Sequence, residues 1–212
     1  MADTKTPRER YRTQLRAEIK EHAWRQIATT GASALSLNAI AKQLGMSGPA
    51  LYRYYASRDE LITELIRDAY QSLADTLGQA ADEGADLAKL AHTLRAWALD
   101  DPQRYLLIYG TPVPGYHAPA DITLISSQTM AILLDASAAL PWDRSATPFD
   151  AHLADHRDWA GDHRDPPTVL HRALRFWTRL HGVLSLELSG HFAGMGFDPA
   201  LLFQAELDEL LV

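Results

Sequence analysis

Arg53 is the one long cationic side chain of a short helix predicted to follow Ser47. A guanidinium group can donate two hydrogen bonds to the O6 and N7 atoms of guanine, or it can bind a phosphate instead. A small residue such as Ala50 can at most contact a thymine methyl group. The residues expected on or near the same face of this helix are Gly48, Pro49, Ala50, Arg53 and Tyr54. This face therefore has the chemistry needed to enter a DNA major groove.

Further hydrogen-bond donors flank the predicted helix and can hold phosphate oxygens. They are the hydroxyl of Ser47, the phenol of Tyr52, the amide of Asn38 near the start of the preceding helix, and the guanidinium of Arg58. Contacts of this kind fix the position of a protein on a duplex without reading its sequence. We predict that these side chains bind the sugar-phosphate backbone.

Catalytic chemistry has little support in the sequence. The chain contains no cysteine, which excludes thiolate catalysis and disulfides. It has no Walker-type Gly-Lys-Ser loop, no Gly-x-Ser-x-Gly elbow, and no strand on which a dinucleotide fingerprint could lie. We therefore expect no catalytic residues, no cofactor and no enzymatic activity. An all-α enzyme, or a helical adaptor that does not bind DNA, is the alternative.

His152 and His156 have the i, i+4 spacing that zinc accepts on a helix, and Asp155 and His163 lie nearby. Leu153 follows His152 where a hydrolytic zinc motif would have glutamate, so that chemistry is excluded. Proline and aspartate surround the tract, which favours a solvated loop. We predict that the protein has no metal site.

Six side chains in the second half of the chain can either line a small-molecule site or pack in the core. Aromatic walls with a few polar tips are typical of ligand pockets. His181 is favoured because a buried imidazole on an apolar helix must find a polar partner. The six candidates are Trp97, Tyr105, Tyr109, Tyr116, Trp177 and His181.

Charge divides the 212-residue chain into two parts. The net charge is −7, yet residues 1–58 hold ten Lys and Arg residues against four Asp and Glu residues, a net charge of +6. The remaining residues hold ten basic and 23 acidic side chains, a net charge of −13. A basic segment joined to an acidic remainder indicates that the first part meets a polyanion. We predict a DNA-binding domain over residues 1–58 and a second domain over residues 59–212.

Helical periodicity runs through nearly the whole sequence, and no period-two strand pattern stands out, so we predict an all-α fold. The first helix is expected from Arg8 to Thr29. Ser36 is expected to cap a helix ending near Leu44, and Ser47 one ending near Tyr54. These two short helices have the lengths and the glycine turn of a helix-turn-helix, whose second helix enters the major groove. A plain connector in a helical bundle is the alternative.

The fourth predicted helix begins at a capping box formed by Ser57 and Glu60 and can link the two domains. Residues 141–167, rich in Pro, Asp and His, indicate an irregular connection or a hidden short helix. Two helices close the chain, over 166–189 and 198–211. Their leucine-rich faces predict that they pair with the same helices of a second copy as a four-helix bundle.

The motif Ser36-x-x-x-Ile40-Ala41-x-x-Leu44-Gly45-Met46-Ser47-x-x-x-Leu51-Tyr52-x-Tyr54-Tyr55-x-Ser57-Arg58-x-x-Leu61 resembles the DNA-binding signature of TetR-family transcriptional regulators. The resemblance covers about residues 8–66. Arg58 stands where the family usually has Lys, and Tyr55 where it often has Phe. Two later segments, 96–116 and 177–187, also resemble a C-terminal domain found in part of the family.

The resemblance implies a homodimer whose two reading helices fit successive major grooves, roughly 34 Å apart, on a palindromic operator. It also implies repression of transcription and a small-molecule effector bound by the larger C-terminal domain. Because no stretch is apolar enough to span a membrane and no signal sequence stands out, a cytoplasmic protein without membrane contact is expected.

Overall fold

The computed structural model describes residues 6–110, 112–117, 119–141 and 145–211. These residues form helices and turns without any β-strand, which confirms the predicted all-α class. The helices are α1 Pro7–Thr30, α2 Leu37–Gln43, α3 Gly48–Leu51, α4 Arg58–Asp82, α5 Leu87–Asp100, α6 Pro102–Tyr109, α7 Ala120–Ala138, α8 Pro148–Asp155, α9 Pro167–Leu188 and α10 Pro199–Leu211.

Two compact units make up the fold. The first contains the described residues up to Asp68 and the described part of 111–118, and the second contains the rest. Helix α4 begins in the first unit and ends in the second. The predicted boundary after residue 58 falls at the start of α4 and stays a prediction.

Helix α1 supplies the central packing face of the first unit. Thr6 and Glu9 cap its N-terminus reciprocally, and Pro7 occupies the first turn, where a missing N–H removes no helical hydrogen bond. Apolar side chains recur along one face and are buried; they are Leu15, Ile19, Ala23 and Ile27. Burial of this face holds the two shorter helices, which are too short to be stable alone.

Helices α2 and α3 have the predicted serine caps. The Ser36 Oγ accepts a hydrogen bond from the Ala39 N–H, and the Ser47 Oγ accepts one from the Ala50 N–H, each at 3.3 Å. Gly45 lies in the turn between them with φ +65°, a conformation that favours glycine. The chain therefore forms the predicted helix-turn-helix.

Helix α3 is shorter than predicted. It ends at Leu51, and a turn follows in which the Tyr54 N–H donates to the Leu51 carbonyl at 2.8 Å. The Tyr54 carbonyl accepts a hydrogen bond from Arg16 Nη1 at 3.0 Å, and this bond to α1 replaces a helical one. Arg53 therefore lies in the turn after α3 instead of within the helix.

The predicted capping box at the start of α4 forms in part. The Glu60 N–H donates to Ser57 Oγ at 3.1 Å, as expected. The Glu60 carboxylate accepts from the Ala56 N–H at 2.6 Å, one residue before the predicted partner. Both bonds satisfy backbone donors that a helix N-terminus leaves unpaired.

Helix α9 is the central element of the second unit and packs against α5, α6, α7, α8 and α10. Its buried face joins the main core of that unit through Phe176, Leu180 and Leu184. Among the described residues, no helix is both long and apolar enough to cross a membrane.

The region 141–167 contains the hidden short helix that the sequence left open. Helix α8 covers Pro148–Asp155, a 3₁₀ turn covers Asp158–Ala160, and residues 142–144 lie outside the described part. Thr147 and Asp150 cap α8 reciprocally, and His171 Nδ1 lies 2.9 Å from the Asp150 carboxylate. Burial raises the pKa of Asp150, but the hydrogen bonds from Thr147 and His171 outweigh it, so that the net shift is downward.

Most leucines of the apolar faces of α9 and α10 pack against other residues of the same chain. Leu170, Leu180, Leu184, Leu207 and Leu210 are buried in the second unit's own cores. The exposed large apolar side chains of this region are Leu201 of the predicted α10 stripe, Leu186 on α9, and Met195 and Phe197 in the loop between the two helices. A partner surface on these helices must use the second set.

Candidate functional site

The residues expected to face the major groove lie at the surface of the first unit. Arg53 and Pro49 are exposed, and Gly48, Ala50 and Tyr54 are half-buried. The two residues predicted to point inward, Leu51 and Tyr55, are fully buried. Since burial of these two side chains fixes the rotation of α3, the opposite face, with Arg53 next to it, is presented to solvent.

Arg16 holds the turn that carries Arg53. Its guanidinium lies 4.4 Å from the centre of the Tyr55 ring, and Nη2 is 2.9 Å from Glu64 of α4. Burial raises the pKa of Tyr55 to about 12, so the phenol is neutral and compatible with the core. These contacts, together with the bond to the Tyr54 carbonyl, fix the backbone that follows Arg53.

Three of the four predicted phosphate-binding residues are exposed: Asn38, Ser47 and Tyr52. The Ser47 oxygen is used by the α3 cap, and its O–H remains able to donate to an anion. Asn38 lies beside Gly48, the first residue of α3. A Cβ atom added at Gly48 would be only 3.3 Å from the Asn38 Oδ1 atom. Glycine at this position lets the two short helices approach closely.

Arg58, the fourth predicted phosphate ligand, has a different environment. Its Nη2 donates to the carbonyl oxygens of Ala32 and Ser33 at 2.8 and 3.1 Å, and the side chain is half-buried. It ties the start of α4 to the turn after α1. Phosphate binding by Arg58 stays a prediction, and the structure gives this guanidinium a bracing role within the first unit.

A groove of about 510 Å³ lies beside the predicted reading surface. One wall is formed by the turn and helix of the motif, through Met46, Ala50, Arg53 and Tyr54. The other wall is the first two turns of α1. We call this feature the basic groove, because the residues of its two walls include three arginines.

The α1 wall consists of Arg8, Tyr11, Arg12 and Leu15. This wall was not predicted from the sequence. The available signal was the spacing i, i+3, i+4, i+7, which places all four residues on the face that Ile19 continues into the core. Leu15 is buried, whereas Arg8, Tyr11 and Arg12 are exposed, so the packed face of α1 becomes cationic where it leaves the core.

Four of the six ligand candidates form one aromatic cluster in the second unit: Tyr105, Tyr109, Trp177 and His181. The His181 ring lies 4.0 Å from Trp177, 4.3 Å from Tyr109 and 5.5 Å from Tyr105, measured between ring centroids. Helices α6 and α9 supply these side chains. The cluster has the aromatic composition expected of a small-molecule site.

His181 is the polar centre of this cluster. Its Nδ1 is 2.9 Å from the Tyr105 hydroxyl, which is also 2.9 Å from Ser185 Oγ. Its Nε2 is buried and has no hydrogen-bond partner among the described residues. Burial lowers the pKa of His181 to about 3, so the ring is neutral near pH 7. One ring nitrogen is therefore available to a polar ligand atom.

The other two ligand candidates lie outside this set of ring contacts. Trp97 is buried, and its Nε1 donates to Ser72 Oγ at 3.1 Å, so it packs in the core of the second unit with a satisfied indole. Tyr116 belongs to the first unit, where its hydroxyl is 3.1 Å from Thr63 Oγ1. Trp97 thus shares the core that contains Tyr105 but makes no ring contact with His181 among the described residues.

Histidine and carboxylate side chains do not assemble into a metal-binding group within the part of the chain that the structure describes. The His152 and His156 rings stack at 3.9 Å, and the His156 Nδ1 is 3.0 Å from the His152 carbonyl oxygen. The two imidazoles at the end of α8 thus contact each other and the backbone.

Comparisons with known proteins find matches over both units. Residues 19–65 match the family "Bacterial regulatory proteins, tetR family", and residues 87–210 match the family "Tetracyclin repressor-like, C-terminal domain". The chain is 38% identical over 214 aligned residues to the HTH-type transcriptional regulator Rv1816 of Mycobacterium tuberculosis, covering 92% of this chain and 90% of that protein.

Solved structures give the same result. The crystal structure of a protein assigned as regulatory, SCO4313, is 72% identical, with a TM-score of 0.91, over 97% of this chain and 99% of that one. A TetR-family transcription regulator from Shewanella sp. PV-4 is 15% identical, with a TM-score of 0.54, over 92% of this chain and 95% of that one, which shows a shared fold.

Proposed function

Because the chain belongs to the TetR family of transcriptional regulators, we propose that it binds a palindromic operator as a homodimer and represses transcription until a small molecule releases it. The family is one of regulators, not enzymes. Such a protein acts at the chromosome, so the proposal places it in the cytoplasm.

The strongest support for DNA binding is the exposed guanidinium of Arg53 beside α3. Arg16 and the buried side chains of Leu51 and Tyr55 hold the turn rigid, so the Arg53 guanidinium is presented with little loss of backbone entropy on binding. Ser47, Tyr52 and Asn38 are exposed, uncharged donors of the same helix-turn-helix and suit hydrogen bonds to phosphates. This arrangement supports base reading by Arg53 and positioning by its neighbours.

The test compares Arg53→Ala and Arg53→Lys on the DNA upstream of the protein's own gene and on a scrambled duplex. Arg53→Ala should weaken binding to the cognate duplex by roughly 1 to 3 kcal/mol and relax base preference at one position in each half-site. Arg53→Lys keeps the charge and loses the bidentate fork, so it should keep the salt dependence and lose the base preference. Anisotropy titrations at several salt concentrations measure both quantities.

Arg25→Ala is the matched control, since Arg25 is an exposed arginine of α1 that does not line the basic groove. It should bind like the parent protein. If Arg53→Ala and Arg53→Lys also bind and discriminate like the parent, Arg53 does not read bases. If the parent prefers no duplex over the scrambled one, the proposal of sequence-specific regulation is wrong.

The His181 cluster supports the effector part of the proposal. A neutral, buried imidazole with an unpartnered nitrogen, enclosed by Tyr109 and Trp177, suits an aromatic or apolar molecule with one hydrogen-bonding group. Effector binding would lower operator affinity by favouring one of two conformations, and α4, which belongs to both units, is the connection between them.

A gel-shift panel tests this part with the low-molecular-weight fraction of a cell extract. The extract should release the parent protein from its operator, and His181→Leu, which keeps the volume but cannot form the hydrogen bond, should retain DNA under the same conditions. Equal release of the parent and His181→Leu would remove His181 from the effector site.

The homodimer part rests on the exposed apolar side chains of the closing helices and their loop. Leu186, Met195, Phe197 and Leu201 are each at least two-fifths exposed in the single chain. Isologous contact of α9 and α10 with the same helices of a second copy would bury them in a four-helix bundle.

A further inference from the structure

We propose that the basic groove holds a sugar-phosphate strand of the operator, so that the first two turns of α1 form a second DNA-contacting element beside α3. This inference rests on the proposed DNA binding and extends it to residues outside the helix-turn-helix motif. The side chains involved are Arg8, Tyr11 and Arg12, facing Arg53 across the groove.

The positive charge of the basic groove favours a sugar-phosphate strand as its ligand. Three guanidinium groups line one groove, and no acidic side chain is among its described lining residues. Arg8, Arg12 and Arg53 form no ion pair with any residue that the structure describes, whereas Arg16, two turns after Arg8 on the same helix, is paired with Glu64. Unpaired like charges repel one another, and a polyanion in the groove would replace that repulsion with attraction.

Geometry is the second argument. Arg8 and Arg12 are one turn apart on the same face of α1, about 6 Å along the helix axis. Phosphates of one DNA strand recur about every 3.4 Å along the duplex axis. Two long side chains at this separation can therefore reach two phosphates of the same strand while Arg53 enters the adjacent major groove.

Tyr11 is the third argument. It lies between the two arginines in sequence, lines the same groove and is 67% exposed. A phenol in this position offers a hydroxyl donor to a phosphate oxygen and a ring face to the deoxyribose. Since Leu15, the next residue of the same stripe, is already buried, the groove has an apolar floor and a cationic rim.

The test uses Arg8→Ala, Arg12→Ala and the double variant, with Arg10→Ala as the matched control. Arg10 is also exposed and carries the same charge on the same two turns, but it does not line the groove. Each single groove variant should weaken binding about tenfold, and the double variant about a hundredfold, equally on the cognate and scrambled duplexes. The slope of log affinity against log salt should fall by about 0.9 for each arginine removed. Arg10→Ala should change neither quantity, and Tyr11→Phe should weaken both duplexes to the same extent.

The outcomes separate this inference from the proposed function. If the parent binds its operator and the double variant has the parent's affinity and salt slope, the basic groove does not contact DNA. An equal loss in Arg10→Ala would also overturn the inference, because the effect would then follow net charge instead of position. If the parent shows no salt-dependent binding to any duplex, both proposals fail together. Circular dichroism of each variant should match the parent, because these side chains are exposed.

Discussion

His181 illustrates how a single buried group makes stability depend on pH. Its pKa is about 3 in the folded chain because of burial, and it has the ordinary value of 6.5 in the unfolded chain. The unfolded chain therefore binds a proton more readily, and stability is full above pH 6.5 and falls as the pH drops from 6.5 towards 3. Acid thus destabilises the second unit through this residue.

We predict that His181→Gln removes this contribution. Between pH 7 and pH 5, the free energy of unfolding of the parent should fall by about 2 kcal/mol more than that of the variant. Urea unfolding at the two pH values measures the difference. His191→Gln makes the same chemical change at an exposed histidine and should keep the parent's pH dependence. If the two variants respond alike, burial of His181 is not the source of acid sensitivity.

The chemistry of single residues was predictable where it follows from local pattern. The caps at Ser36 and Ser47 and the inward direction of Leu51 and Tyr55 follow from helical spacing, and the structure contains all of them. The partners of Arg58 and Trp97 were not predictable, since Ala32 and Ser72 are each about 25 residues away in sequence. Contacts of this kind depend on tertiary packing, which periodicity does not encode.

At the scale of elements, a buried arginine of α9 caps the C-terminus of helix α7. Arg172 is 2% exposed, and its guanidinium donates to the carbonyl oxygens of Ser137 and Leu140 at 2.7 Å and of Pro141 at 2.8 Å. These carbonyls lie at and just after the C-terminus of α7, which carries partial negative charge and lacks helical donors. A cation in this position stabilises the end of one helix from the side of another.

We predict that Arg172→Met, which keeps the apolar stem and removes the donors, lowers the free energy of unfolding by about 3 kcal/mol, since it removes three charge-assisted hydrogen bonds to buried and half-buried carbonyl oxygens. Chemical denaturation measures the loss. Arg164→Met, the same change at an exposed position before α9, should shift stability by less than about 0.5 kcal/mol. A loss of similar size in both variants would mean that the α7 cap contributes nothing specific.

Helix boundaries were predictable to within a few residues where a cap or a proline marks them, as at the start of α1 and at Ser47. They were predicted wrongly where a contact between distant residues sets the end of a helix. Helix α3 ends at Leu51, and the Tyr54 carbonyl in the turn that follows accepts a hydrogen bond from Arg16. Helix α8 was left open because proline and aspartate suggest a loop, yet Thr147, Pro148 and Asp150 are also the residues of a helix start. The same composition is compatible with both structures, and tertiary packing of Leu153 selects the helix.

At the scale of the whole molecule, the outcome for the closing helices changes which residues a dimer would use. Their leucine stripes were expected to face a second copy, but the structure buries most of them in the chain's own cores. The sequence alone does not distinguish a stripe that packs within the chain from one that packs against another chain. The folded structure distinguishes the two cases, because it shows which apolar side chains stay exposed. In this region they are Leu186, Met195, Phe197 and Leu201.

The chain offers a matched pair of leucines for testing the homodimer. Leu201 on α10 and Leu124 on α7 are each 70% exposed, and neither supports the core of its unit. A carboxylate at position 201 would have to be desolvated in a second copy's apolar surface without a partner, which costs several kcal/mol. The same substitution at position 124 would leave the carboxylate in water.

We therefore predict that Leu201→Glu sediments as a monomer and Leu124→Glu as a dimer at the same micromolar concentration. The Leu201→Glu monomer should lose operator affinity more than it loses affinity for the scrambled duplex, because a palindrome is read with two linked heads and the second head adds effective concentration. A dimeric Leu201→Glu would place the subunit contact elsewhere. A monomeric parent would remove the basis for reading two half-sites at once, even though each head would still present Arg53 to a single major groove.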